Sequence, residues 1–345
     1  MPLGYHAIAP GELMRSREEG GRRYFEFRTD RAIRNVPMVF AVPWAPRRWS
    51  AGDLRTETYS PEPIAAQDAS LLGMRDTLAW LDREIAPYPG KTLRLVATPE
   101  FGSGGFALPQ AVMISHRRGL RARPSPEAGF NQAYRRAVHE TAHQWFGHVL
   151  GYGIPEERAF LIESLAKYAE LVMVERRYGK QAAQALVTWE TDRYARARLT
   201  PEQSAVPLID AEDTEDMYSR ATLAFACLRQ RSGDGAIIGA LKTVAASAEQ
   251  SGRPARSLDF VHALKQASGS ANERAVDALL SSSMTVDEAL VVASCSKGDQ
   301  RVGTLKTTQR PTKHARVVLE PRLPCCSGRS RPWQAESSDR IRGLL

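Results

Sequence analysis

Nowhere does the chain hold an uninterrupted apolar run approaching the roughly 20 residues that a membrane-spanning helix needs. Residues Met1 to Arg15 lack the basic start and apolar stretch of a secretory signal, so the expectation is a soluble, cytoplasmic protein that stays where it is made. Cysteine is scarce. Cys227, Cys295, Cys325 and Cys326 form no C-x-x-C pair and no metal-ligand spacing. Cys227 lies in an apolar helical run and reads as a small core residue, Cys325 and Cys326 read as free thiols, and the usage fits a reducing compartment. The glycine-rich stretch Gly102-Ser103-Gly104-Gly105 lacks the strand–loop–helix context and the lysine of a phosphate cradle, which excludes a nucleotide site there.

A net charge of +8 suggests nucleic acid until it is located. Residues 296–345 hold 11 Lys/Arg against 4 Asp/Glu, a net of +7, so the preceding residues carry only +1. That last segment is rich in Ser, Pro and Arg without apolar periodicity, and it reads as a disordered, solvated basic tail. No nucleic-acid partner is expected.

With 345 residues, 43% of them hydrophobic, the chain can bury a sizeable core and has the length of two or three domains. The first 60 residues look β-rich: Tyr24–Arg28 alternates aromatic and charged residues, and Pro37–Val42 is a short apolar run. Leu71, Met74, Leu78, Leu81 and Ile85 give 65–85 helical spacing, ended by Pro87-Tyr88-Pro89-Gly90. Leu93–Ala97 and Ala111–Ser115 read as strands, the latter as a sheet edge able to align a peptide by backbone pairing. From Pro126 onward helices dominate: the one begun by Ser125-Pro126-Glu127, then 156–178 with Gly179 as its stop, 180–198, 214–230, 235–247, 258–267 and 272–280. Strands followed by a helical block suggest an α+β fold with the site where the two meet.

The residues that carry chemistry are His139-Glu140-Thr141-Ala142-His143, an H-E-x-x-H signature. Four residues apart on a helix, two imidazoles share a face and can reach one ion, and the Glu beside the first can hold a water. Catalytic zinc takes three protein ligands and keeps a position open, so a third donor is needed, usually a carboxylate from the next helix. Glu163 is the strongest candidate, with 19 residues between it and His143; Glu156, Glu157 and Glu170 compete. His148 falls off the ligand face and reads as supporting or structural, Trp145 and Phe146 read as core, and His116 beside Arg117 and Arg118 reads as surface.

The run from His139 to Gly147, H-E-T-A-H-Q-W-F-G, followed by Glu163-Ser164-Leu165-Ala166-Lys167-Tyr168, resembles the M1 (gluzincin) zinc aminopeptidase family. Within it the chain is most similar to the peptidase modules associated with bacterial ABC-type permeases, which carry H-E-x-x-H-Q-W-W-G-H and E-S-L-A-x-Y at the same spacing. The likeness covers roughly residues 8–290 and is dense from 93 to 232. It implies a thermolysin-like catalytic domain in which His139, His143 and Glu163 hold one Zn2+ and Glu140 is the general base. It further implies that Tyr218, in Tyr218-Ser219-Arg220-Ala221, stabilises the oxyanion, although the family's Y-x-K-G has a Gly where Ala221 stands. The family's G-x-M-E-N strand, whose Glu binds the substrate's free amine, corresponds to Gly105–Ala111, which has no carboxylate; Glu100 is the nearest substitute. Strict free-amine specificity is therefore not implied.

These readings combine into a zinc-dependent metallopeptidase acting on peptides. Its expected domains are a β-rich N-terminal remnant (1–62), a thermolysin-like zinc peptidase domain (63–234), a partial helical C-terminal region (235–295) and the basic tail (296–345). The alternative is a non-catalytic zinc-binding module that binds peptides or a membrane permease partner, which would place the chain at a membrane through that partner.

Overall fold

Residue order along β7 (Thr92–Thr98), Thr-Leu-Arg-Leu-Val-Ala-Thr, places apolar side chains on both faces, and all seven are buried. That is the pattern of a central, two-sided strand. The structure, a computed structural model, describes residues 1–29, 33, 40–61, 65–99, 104–116, 129–150, 159–197, 204–285 and 287–289. Of the sequence readings, Ser125–Glu127, Glu100, Glu156, Glu157 and the basic tail lie outside these residues.

Before β7 the chain forms β1 (His6–Ile8), β2 (Glu12–Glu19), β3 (Arg22–Arg28), β4 (Phe40–Val42), β5 (Arg47–Ala51), β6 (Leu54–Tyr59) and helix α1 (Ala65–Glu84); after it come β8 (Gly105–Leu108) and β9 (Ala111–Ser115). Five strands share one sheet in the order β5-β6-β7-β9-β8. The β6, β7 and β9 strands run parallel, with β5 and β8 antiparallel on the two flanks. Sequence reading put Ala111–Ser115 at an edge. The structure puts β9 inside, between β7 and β8, and gives the edge to β8. The reason is the short connection Pro109-Gln110, which folds β8 back against β9; Gln110 adopts φ 63, the only left-handed non-glycine among the described residues.

The sheet separates two cores because successive side chains alternate faces. Leu93, Leu95, Ala97, Val112 and Ile114 pack beneath Met74, Leu78 and Leu81 of α1. On the other face, Val96 and Met113 meet Ile8, Val42 and Tyr59. Thus β5 and β6, within the first 62 residues, share the sheet that carries β7–β9, while β1 pairs with β4 and β2 with β3. Residues Met1–Leu305 form one compact unit.

The helical block follows as α2 (Gln132–Ala142), α3 (Leu165–Tyr178), α4 (Lys180–Ala197), α5 (Ala221–Ser251), α6 (Ser257–Ser268) and α7 (Ser270–Val276), so the fold is α+β. Asn131 caps α2, its side chain accepting the Tyr134 N–H. Gly179 ends α3 with φ 87, as its position predicts. The 214–230 and 235–247 segments form one long element broken at Gly233 (φ 79, ψ 161). Two π-helical turns, Ala159–Ser164 and Asp216–Arg220, lead into α3 and α5. Cys227 is buried in the core but is disulfide-bonded, so it is not the simple apolar filler its neighbours suggested. No helix among the described residues is long and apolar enough to cross a membrane.

Phe225 of α5 joins the helices through ring contacts with Tyr168 at 5.4 Å, Phe160 at 6.2 Å and Phe260 at 6.4 Å, and it is fully buried. Phe225→Ala is expected to destabilise the protein by about 3–5 kcal/mol in urea unfolding. A loss below about 1 kcal/mol would mean that this aromatic cluster does not hold the block together.

Candidate metal centre

Helix α2 delivers His139 and His143 one turn apart, with ring centroids 4.8 Å apart and ring planes near perpendicular at 88°. Each imidazole is oriented from behind. The Nδ1 of His143 lies 3.1 Å from the carbonyl oxygen of Phe146, and the Nδ1 of His139 lies 2.9 Å from Oε1 of Glu170. A carbonyl and a carboxylate only accept, so both Nδ1 atoms carry hydrogen and both Nε2 atoms are left to face forward. In front of them stands Glu163, with Oε2 3.1 Å from His139 Nε2 and 3.7 Å from His143 Nε2. Ligand atoms of His139, His143 and Glu163 all lie within 4.8 Å of one another. Two imidazole nitrogens and a carboxylate oxygen are a donor set suited to zinc with one position open.

Local sequence explains how the chain can bend so close. Gly147 takes φ 114 just after the metal helix, returning its N–H to the Leu150 carbonyl at 2.7 Å and turning the Phe146 carbonyl toward His143. Glu163 is carried by the π-helical turn Ala159–Ser164, and Tyr218 by the second such turn, Asp216–Arg220. Burial and the neighbouring Glu163 carboxylate raise the Tyr218 phenol well above its ordinary value, and its ring lies 5.7 Å from that of His139.

Glu140 is buried where α2 passes β8. A Cβ added at Gly105 would overlap the Glu140 carboxylate, and one at Gly104 would overlap the Arg136 guanidinium. At these two positions a side chain would therefore have to displace Arg136 or Glu140. Gln144 ties the same two elements, accepting the Gln110 N–H at 2.7 Å and donating to the Leu108 carbonyl at 3.0 Å. His148 lies outside the ligand cluster, and burial lowers it to about 4.

The protein groups alone set a steep electrostatic pattern. Burial lifts the Glu140 carboxyl to about 7 against the pull of His139, with Glu163 adding to the rise. Burial lowers His143 to about 4. Burial also acts to lower His139, but its hydrogen bonds to Glu163 and Glu170 outweigh this and raise it to about 9. At Glu163 burial acts upward, yet the hydrogen bond from His139 and the charges of His143 and His139 hold the carboxyl down at about 2. Positive charge is strongly favoured between these groups.

Trp145 and Phe146 are fully buried, with the Trp145 indole N–H on the Ala86 carbonyl at 2.8 Å, in keeping with core roles. His116 lies half-buried at the end of β9. Glu170, one of the rival third donors, stands behind His139 instead of beside Glu163. Spacing missed Arg135, Lys167 and Glu190, which surround Glu170; their only signal in sequence is charge at buried helical positions.

Residues 74–281 match the model of the peptidase family M1 domain. Comparison with curated protein sequences finds no match. Among solved structures, the chain is similar to a mutant M1 zinc metallopeptidase from Deinococcus radiodurans, with a TM-score of 0.59 and 20% identity over 81% of this chain and 62% of that one. It is also similar to a two-domain M1 zinc metallopeptidase mutant bound to L-arginine, with a TM-score of 0.58, 20% identity, and coverage of 81% and 61%. A third similar structure is an M1 zinc metallopeptidase from Deinococcus radiodurans, with a TM-score of 0.56, 21% identity, and coverage of 81% and 62%. The chain thus spans less than two thirds of the length of these structures, and at such identity they show a shared fold. The family match extends over more than half of the chain and takes in both histidines, the glutamates and Tyr218: this protein belongs to peptidase family M1.

Proposed function

We propose that the chain is a zinc-dependent metallopeptidase in which His139, His143 and Glu163 hold the ion and Glu140 is the general base. The observation that carries this reading is the convergence of three ligand atoms within 4.8 Å beside a buried glutamate on the same helix. Zinc, when bound, supplies Lewis acidity toward a water and toward the peptide carbonyl. Glu140 takes the water's proton and delivers it to the leaving amine; burial against Gly105 keeps its carboxylate from turning away. Tyr218, beside the Glu163 carboxylate and with its ring 5.7 Å from that of His139, is the group that would donate to an oxyanion.

The substrate would lie along β8, the edge strand of the sheet among the described residues, and pair with its backbone. Gly105–Ala111 offers no carboxylate for a free amine, which supports cleavage that does not require an unblocked N-terminus. The same departure, with Ala221 after Tyr218-Ser219-Arg220, favours the second reading, a zinc-binding module that captures peptides without cutting them. A membrane permease as partner rests on motif spacing alone.

A pool of peptides with free and acetylated N-termini, incubated with the zinc-loaded chain, separates these readings. Cleavage of both halves is expected. Glu140→Gln should lower kcat by roughly 10²–10⁴-fold with zinc retained; full activity in that variant would remove Glu140 from the mechanism. Removing the metal with a chelator should abolish cleavage, and restoring zinc should recover it. Gly105→Ala, which forces the Glu140 carboxylate aside, should depress kcat while zinc content stays the same.

A further inference from the structure

Behind His139 lies a group of buried charges, reached from outside by Arg193 at 3.6 Å from Glu190 Oε2, that neither the ligand set nor the general base requires. Glu170 accepts from His139 Nδ1 at 2.9 Å, from Arg135 Nη1 at 2.7 Å, and from Lys167 Nζ. Lys167 Nζ also donates to Oε1 of Glu190. The other oxygen, Oε2 of Glu190, accepts from Ser219 Oγ at 2.7 Å. Lys167, Glu170 and Glu190 have side chains at most 2% exposed, and Arg135 is 10% exposed. These residues come from α2 (Arg135), α3 (Lys167, Glu170), α4 (Glu190) and the π-helical turn before α5 (Ser219).

Packing alone does not account for such a group. Four desolvated charges hold helices together no better than apolar side chains of the same size would. What distinguishes this chain of bonds is where it ends. At one end is the back of His139. At the other is Ser219, next in sequence to Tyr218 on a turn without a regular α-helical ladder, where side-chain direction depends on outside ties. A second tie joins the two π-helical turns directly: Ser164 Oγ, beside Glu163, donates to the Met217 carbonyl, beside Tyr218, at 3.1 Å.

We propose that Glu190 is a positioning residue that sets two parts of the site with one buried carboxylate: His139 through Lys167 and Glu170, and Tyr218 through Ser219. The inference rests on the reading of His139 as a metal ligand and Tyr218 as a group facing the reacting carbonyl. Glu190 touches neither metal nor substrate. Its two oxygens fix the distance between the imidazole and the phenol.

The test compares the full zinc-loaded chain with its Glu190→Gln, Ser219→Ala and Lys167→Met variants. The readouts are zinc affinity by chelator competition, the visible spectrum of the cobalt-substituted protein, and kcat and KM on an unblocked peptide. Glu190→Gln should weaken zinc binding about 10-fold, shift the cobalt bands, and lower kcat about 10–100-fold with KM little changed. Ser219→Ala should lower kcat about 10-fold with zinc affinity and cobalt spectrum unchanged, because it cuts only the Tyr218 side. Lys167→Met should reproduce the metal-side effects and carries that arm if Glu190→Gln fails to fold. Wild-type zinc affinity and cobalt bands in both Glu190→Gln and Lys167→Met, or variants that lose only thermal stability, would overturn the proposal. If the parent chain binds zinc and cuts nothing, the peptidase reading fails, while the affinity and cobalt measurements still decide the role of Glu190.

Discussion

Lone pairs on two imidazole nitrogens and a carboxylate, turned toward one point in a buried pocket, repel one another unless positive charge sits among them. Much of the helical block can be understood as the means of holding His139, His143 and Glu163 in that arrangement. Glu170 and the Phe146 carbonyl take the Nδ1 hydrogens, so neither ring can turn its lone pair away without losing a buried hydrogen bond. Glu170 is itself held by Arg135 and Lys167. The site is thus a constraint satisfied from behind, through helices α2, α3 and α4.

The front of the site is set by the sheet. Because Pro109-Gln110 turns β8 onto the edge, the strand beside the metal helix is the outermost of the sheet among the described residues. A Cβ at position 104 or 105 would push aside the Arg136 or Glu140 side chain, and Gln144 donates to the Leu108 carbonyl of the strand. Glu140 on the helix and the edge strand β8 are in this way held close together. Phe106, 44% exposed on β8, leaves an apolar side chain beside that edge.

Two of the π-helical turns bear candidate site residues at the start of a helix. One carries Glu163 and the other Tyr218, and the Ser164–Met217 hydrogen bond ties the two together. Wider turns redirect side chains relative to the helix that follows, a common arrangement at functional sites. Sequence periodicity describes these segments simply as helix, since a single wider turn leaves the apolar spacing nearly intact.

Much of the protein was legible in the amino-acid order by itself. The H-E-x-x-H spacing, the E-S-L-A-K-Y segment, the alternation of β3, the apolar run of β7 and the stop at Gly179 depend on near neighbours, and local rules read them. The family followed from those same short motifs. Only the tertiary structure decided that Glu170 stands behind His139 while Glu163 faces it, that β8 and not β9 is the edge, and that Lys167, Glu190 and Ser219 form one chain of bonds. Those outcomes depend on which residues meet across 20 to 50 positions of sequence, where side-chain type is known but direction is not. Direction is set by packing, and packing exists only once the chain has folded.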